Sequence, residues 1–208
     1  MDKNYWKDIY SKQSEGDKPS LFAQHIVETL DLEGKKLVEL GCGNGRDAIY
    51  LANANAIVDA IDQCDNIIEL LNYRFQKVDN LNFKCLDFTC MNDGNPYDIV
   101  YSRFTLHSIS KAQETNVLHW AYRNLTANGT LCIEVRGQKN EIYGAGTPVD
   151  DEPDAFILND HYRRFINFEA LCNDLKSIGF QIDFAKEQKG FAPYNGTDET
   201  YIRIIASK

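Results

Sequence analysis

Lys36-Leu37-Val38-Glu39-Leu40-Gly41-Cys42-Gly43-Asn44-Gly45-Arg46-Asp47-Ala48 is the stretch on which the reading of the whole chain turns. It predicts a short buried strand, a turn with three glycines and the first turn of a helix. Leu37, Val38 and Leu40 make the near-continuous apolar run of a parallel strand covered on both faces. Gly41, Gly43 and Gly45 open backbone conformations closed to residues with a side chain, and they let a ligand approach the main chain. Ala48, Ile49, Leu51 and Ala52 then supply the apolar face of a helix.

The spacing is Gly-x-Gly-x-Gly, with Arg46 where a dinucleotide-binding turn would place its third glycine. Glu39 discriminates further, because a carboxylate beside the first βα turn repels a pyrophosphate and can pair with a cation. In these residues the chain resembles motif I of the class I S-adenosylmethionine-dependent methyltransferases. Their ligand carries an amino group, a carboxylate and a sulfonium in place of phosphates. The plainer alternative is a generic βα turn whose acid has no function.

Outward from this stretch, strands and helices alternate as in a doubly wound α/β fold. Residues 4–10 read as a short amphipathic helix. Pro19 and Ser20 open a second helix that runs to about Leu32. Strands are expected at 56–61, 81–86, 97–101 and 130–135, with helices carrying Ile67, Leu71, Phe75 and Val78, and Val117, Leu118, Ala121 and Leu125. Residues 136–164 have few apolar positions and resist assignment; loops of such length are usually functional. A helix from Phe168 stops at Gly179, and strands at 180–184 and 201–205 follow with no helix between them, so they should pair antiparallel. The resemblance implies a Rossmann-like, mostly parallel seven-stranded sheet ending in an antiparallel hairpin, with helices on both faces. We expect one domain over 1–208, with 1–34 as a helical cap and 137–165 as a lid over the acceptor pocket.

Composition bounds the function. The 208 residues are 43% hydrophobic and 25% charged, with a net charge of −9, which describes an ordinary globular chain. A surface of that charge repels nucleic-acid phosphates. No basic tract compensates, so nucleic-acid partners are not expected. The six cysteines are scattered, without a Cys-x-x-Cys pair, and suit neither a zinc site nor a disulfide framework. With no apolar leader and no run near 18 apolar residues, no membrane partner is expected and the expected setting is cytoplasmic. Monomer and homodimer both remain open.

Ligands of open α/β sheets bind outside the carboxyl ends of the strands, so the residues there are the candidates. Asp62 lies about 20 residues past the first glycine, where a carboxylate can accept both ribose hydroxyls; it can equally cap the next helix. Gln63 may flank the adenine. The resemblance makes Asp87 an adenine-contacting acid beside Phe88, with a capped turn as the alternative. It also implies an N-terminal segment folded over the cofactor, S-adenosyl-L-methionine. Trp6, Tyr10 and Ser20 then become contacts, or Trp6 and Tyr10 merely dock their helix. Glu39, Gly41, Cys42, Gly43, Asn44, Arg46 and Ser102 complete the expected cofactor set.

Tyr101-Ser102-Arg103-Phe104-Thr105-Leu106-His107 matches the family's motif IV region, beside the methyl group and its acceptor. Methyl transfer is an in-line displacement, so positioning does most of the work. A base is needed only for a protonated acceptor, and His107 is the candidate; a packed histidine at a helix start is the alternative. The Asn/Asp-Pro-Pro-Tyr/Phe motif of many nucleic-acid and protein amide methylases is absent here, which points to a small-molecule acceptor. Arg103, Arg136, His161, Tyr162, Arg163 and Arg164 cluster at strand ends of an acidic protein and suggest an anionic acceptor, phosphorylated or carboxylated. Alternatively, Arg163 and Arg164 pair with Asp150, Asp151, Glu152 and Asp154. Methylation at oxygen or nitrogen stays open. No metal is expected. The competing functions are a non-catalytic cofactor-binding sensor and an NAD-dependent oxidoreductase.

Overall fold

Leu37, Val38 and Leu40 lie in a strand whose last four residues are all buried, at the centre of the sheet that orders the molecule. The computed structural model describes residues 18–94 and 96–208; the helix expected at 4–10, with Trp6 and Tyr10, lies outside the described residues. The chain runs α1 (Leu21–Thr29), β1 (Lys36–Leu40), α2 (Arg46–Asn53), β2 (Ile57–Asp62), α3 (Asp65–Phe75), β3 (Leu81–Cys85), β4 (Tyr97–Arg103) and α4 (Lys111–Asn124). It continues through β5 (Leu125–Arg136), β6 (Thr147–Pro148), β7 (Ala155–Leu158), β8 (His161–Arg164), α5 (Phe168–Ile178), β9 (Gln181–Gln188) and β10 (Tyr201–Ser207).

Seven strands form one sheet in the order β3-β2-β1-β4-β5-β10-β9. β1, β2, β3, β4 and β5 pair parallel, whereas β10 runs antiparallel to both β5 and β9. This is the Rossmann-like sheet with a C-terminal antiparallel hairpin that the alternation predicts. The strand order reverses between β1 and β4, which sets the crevice for a ligand at their carboxyl ends.

The pleat sends successive residues to opposite faces. Leu37, Val58 and Tyr101 face Phe22 and Ile26 of α1, Leu51 of α2 and Leu71 of α3. Val38, Val100 and Ile133 face Val117 and Leu118 of α4 and Leu171 and Leu175 of α5. Each such fully buried aliphatic side chain contributes about 1.5–3 kcal/mol. Helix starts are capped from the sequence. The Ser110 hydroxyl accepts from Gln113 N–H while Gln113 Oε1 accepts from Ser110 N–H, a reciprocal capping box.

Two expectations are corrected. Helix α4 ends at Asn124, one residue before Leu125, because the Asn124 side chain donates to the Trp120 carbonyl and accepts from Gly94 N–H. The 136–164 stretch, left unassigned from sequence, contains a second sheet of order β6-β7-β8. Its tight hairpin is Asn159-Asp160, both at positive φ (+53° and +56°), as a two-residue type I′ turn requires. Among the described residues, no helix is long and apolar enough to cross a membrane.

Candidate active site

The glycine turn leaves β1 with Gly41, Gly43 and Gly45 at φ +75°, +55° and +77°, a region that L-residues with a Cβ rarely enter. Space forbids a side chain as well. A Cβ on Gly41 would strike Thr105 Cγ2, and one on Gly45 would lie 2.9 Å from the Phe83 ring. The Gly41 and Cys42 N–H groups both donate to the Ile61 carbonyl, at 2.8 and 2.9 Å. Asp62 clamps the turn from β2: Oδ2 accepts from Gly43 N–H and Oδ1 from Cys64 N–H, each at 2.9 Å. It is not the cap of α3, whose N-cap is Cys64 with no side-chain cap bond, and each of its oxygens keeps a lone pair for a further donor.

Glu39 is buried beside this turn, and its Oε2 has no hydrogen-bond partner; neither does the buried Nε2 of Gln63. Burial pushes the Glu39 carboxyl well above its ordinary range, and Asp47 and Asp62 push the same way while Arg103 and Arg46 oppose them. An unpaired buried acid facing other acids suits a cationic ligand group. The two orphaned atoms, one acceptor and one donor, thus fit the ammonium-bearing nucleoside implied by the sequence. Burial likewise raises the Cys42 thiol. Asn44 Oδ1 accepts weakly from Arg46 N–H at 3.4 Å. Asp87 is exposed and accepts from Thr89 N–H and Oγ1–H, at 2.9 and 2.8 Å, so the capped turn exists beside buried Phe88.

Ser20 and Ser102 are placed differently from expectation. The Ser20 hydroxyl donates to Asp47 Oδ2 at 2.7 Å and accepts from Ala23 N–H at 3.0 Å; its N–H donates to Asp47 Oδ1 at 2.7 Å. It is a helix cap that docks α1 on α2, engaged by protein groups rather than presented to a cofactor. Tyr101 O–H donates to the same Asp47 at 2.9 Å. Ser102 Oγ lies 2.6 Å from Thr105 Oγ1 and holds the turn after β4.

The arginines have protein partners as well. Arg103 donates to Glu134 Oε1 at 2.9 Å, and Arg203 donates to Glu134 Oε2 at 2.6 Å. Arg136 pairs with Glu199 and donates to Asn140 at 2.9 Å. Arg164 pairs with the fully buried Glu114 and donates to the Ile109 and Leu106 carbonyls at 3.2 and 3.4 Å. None of these three carboxylates belongs to the acidic run 150–154. Burying a guanidinium demands a paired acid, and each acid comes from another element. Glu134 had a readable signal: a charge inside the apolar run Cys132-Ile133-Glu134-Val135 needs a cation.

His107, expected as a base, sits buried in a 3-10 turn (Leu106–Ser108). Its Nδ1 accepts from Arg136 N–H at 3.4 Å, which leaves the ring proton on Nε2. Burial pushes its pKa well below the ordinary value, helped by Arg136, Arg163, His161 and Arg164. The neutral ring is therefore set to donate, since its lone pair is engaged and the surrounding cations oppose its protonation. Phe104, which the sequence reading passed over, stands at φ +58°, stacked 4.9 Å from Tyr201 with the Arg103 guanidinium 4.0 Å from its centroid. Strained backbone of this kind clusters at functional sites. A cavity of about 560 Å³ lined by Phe88, Met91, Val117 and Trp120 opens elsewhere, against α4, and is not lined by Glu39, Asp62 or His107.

Residues 37–129 match the family model described as "Methyltransferase domain". That stretch, somewhat less than half of the chain, carries the sequence pattern of a methyltransferase domain. A ubiquinone biosynthesis O-methyltransferase of Coxiella burnetii is 30% identical over 79 residues, 37% of this chain and 34% of that protein. The match thus spans about a third of that relative's length. A phosphoethanolamine N-methyltransferase of Plasmodium falciparum is 27% identical over 111 residues, 52% of this chain and 42% of its own length. A SAM-dependent methyltransferase structure from Methanosarcina mazei superposes with TM-score 0.75 at 18% identity, covering 88% of this chain and 96% of that one. S-adenosylmethionine is the cofactor to which these likenesses point.

Proposed function

We propose that this chain transfers the methyl group of S-adenosylmethionine to an oxygen or nitrogen of a small anionic acceptor, phosphorylated or carboxylated. What supports the anionic part is that Arg136, at the end of β5, and Arg163 and Arg164 of β8 all act on buried His107 through their charge, although Arg136 and Arg164 also each meet a carboxylate. Nearby, Arg103 and Arg203 share the single carboxylate of Glu134, which adds positive potential to the same end of the sheet. The phosphoethanolamine of the Plasmodium relative's name contains a phosphate, in keeping with such an acceptor.

When bound, the cofactor supplies a methyl group on a positively charged sulfur. Glu39 would face its ammonium, the main chain of Gly41, Cys42 and Gly43 its methionine part, and Asn44 and Arg46 its carboxylate. Asp62 would accept from the ribose hydroxyls, with Gln63, Asp87 and Phe88 around the adenine. His107 donates from Nε2 and orients the acceptor rather than taking its proton; alignment behind the methyl supplies most of the rate. Segment 137–165 serves as the lid, since β8 packs on the 106–108 turn, and residues 1–34 as the cap of a single domain. A reducing, cytoplasmic setting suits six free cysteines.

Isothermal titration tests the cofactor half. Wild type is expected to bind S-adenosylhomocysteine, and Asp62→Ala to bind it about 10–100-fold more weakly, a loss of roughly 1.4–2.8 kcal/mol. Wild type that binds neither the methyl donor nor its product at millimolar concentration would defeat the proposal.

A further inference from the structure

Glu39 is 4% exposed, and its Oε2 has no hydrogen-bond partner among the described residues. In register it stands opposite Ala60 of β2 and Tyr101 of β4, and side chains at paired positions leave a sheet on the same face. That face carries two other acids. Tyr101 O–H donates to Asp47 Oδ2 at 2.9 Å, and Asp62 lies two residues past Ala60 at the end of β2. Both oxygens of Asp47 and both of Asp62 accept hydrogen bonds, as carboxylates do. The cations at hand have acids of their own: Arg103 donates to Glu134 Oε1 at 2.9 Å, and Arg46 Nε lies 3.9 Å from Asp47 Oδ1.

A carboxylate buried beside like charges, without a partner of its own, neutralises itself by taking a proton. The charges around Glu39 agree with that geometry. Burial pushes its carboxyl well above the ordinary range, Asp47 and Asp62 push the same way, and Arg103 and Arg46 oppose them. Tyr101 from β4 and Cys42 from the turn are the other titratable groups that feel its charge, and neither brings a positive one. An incoming cation is what the ionised form lacks.

We propose that Glu39 holds a proton in the free protein and releases it to solvent when the ammonium of the methyl donor arrives. The carboxyl O–H bond breaks, the proton leaves to the buffer, and the carboxylate pairs with the ammonium, so one cation replaces another at the same acid. The inference rests on the reading of the chain as a methyltransferase and adds a proton linkage to its cofactor site. Its sign is fixed. While free Glu39 is protonated, each unit of rising pH strengthens cofactor binding by up to about tenfold. A nucleoside without the ammonium leaves the proton where it is.

Calorimetric titration of S-adenosylhomocysteine into the full chain, in phosphate and in imidazole buffers below about pH 7, counts the proton from the difference in heat between buffers of unlike ionisation enthalpy. In that range the ligand keeps its own ammonium and carboxylate charged. Wild type is expected to release about one proton per site and to bind more tightly as pH rises. Glu39→Gln keeps the shape of the side chain and cannot ionise, so it should bind more weakly, release no proton and lose the pH slope. The second probe, 5′-methylthioadenosine, has the nucleoside and the sulfur but neither ammonium nor carboxylate; wild type should bind it without releasing a proton, a comparison that depends on no variant. Binding of S-adenosylhomocysteine without proton release overturns the proposal, as does equal release in Glu39→Gln or with 5′-methylthioadenosine. Failure of wild type to bind S-adenosylhomocysteine at all would instead defeat the methyltransferase reading itself.

Discussion

The two halves of the strand-end site are held by different kinds of contact. Around the glycine turn the contacts are made by main-chain N–H groups and reach to the end of the adjacent strand: the Asp62 carboxylate clamps Gly43 and Cys64, and the Ile61 carbonyl accepts from Gly41 and Cys42. At the ends of β4 and β5 the partners are side chains far apart in sequence. Arg103 and Arg203 meet Glu134 across separations of 31 and 69 residues, and Arg164 meets Glu114 across 50. A backbone-built half recognises a ligand through atoms that substitution cannot remove. A half built from long-range ion pairs can be retuned one side chain at a time, which suits the part of the site that must choose an acceptor.

The sharpest way to break this comparison is Glu134→Ala. It strands two buried guanidiniums and is expected to cost about 3–5 kcal/mol in urea unfolding; a cost below about 1 kcal/mol would mean that ion pairs do not hold the acceptor half. Gly41→Ala attacks the other half. Its positive φ and the approach of Thr105 predict a loss of about 1–3 kcal/mol together with weaker S-adenosylhomocysteine binding by calorimetry. Unchanged affinity would show that the turn tolerates a Cβ and is not the backbone cradle described.

His107 offers a subtler test through pH. Its folded pKa is depressed, so the unfolded chain binds the proton that the folded one refuses. The stability difference between wild type and His107→Asn is therefore full above about pH 6.5 and shrinks as pH falls toward the folded pKa, by up to about 1.4 kcal/mol per pH unit. A pH-independent difference between pH 5 and 7 would show that folding does not depress the His107 pKa. The smallest effect is expected at Arg123→Ala. Its bidentate pair with Asp93 is solvent-exposed on both sides, and exposed pairs contribute little, so the melting temperature should not move measurably. A clear drop would show that surface pairs matter here as much as buried ones.

The reading from sequence followed the same division. β1, the glycine turn and α2 were legible because strand, turn and helix signals there sit within 18 residues of contiguous chain, where local chemistry sets the conformation. The small β6-β7-β8 sheet was not, since its strands are two to four residues long and too short to show a period. Asn159-Asp160 between Leu158 and His161 was the available hint. Ser20 looked like a ligand contact because nothing near it in sequence announces Asp47, 27 residues away, as its partner. The carboxylate partners of Arg103, Arg136 and Arg164 were hidden for the same reason.

The sequence by itself determined the class of fold, the glycine turn after β1 and the lone acid beside it, because periodicity, glycine spacing and a single carboxylate act over a few residues. Only the tertiary structure decided which carboxylate each arginine meets and that the Nδ1 of buried His107 is taken by the Arg136 N–H. Those outcomes depend on desolvation and on charges brought together from distant elements, and burial is a property of the folded chain rather than of any segment of it.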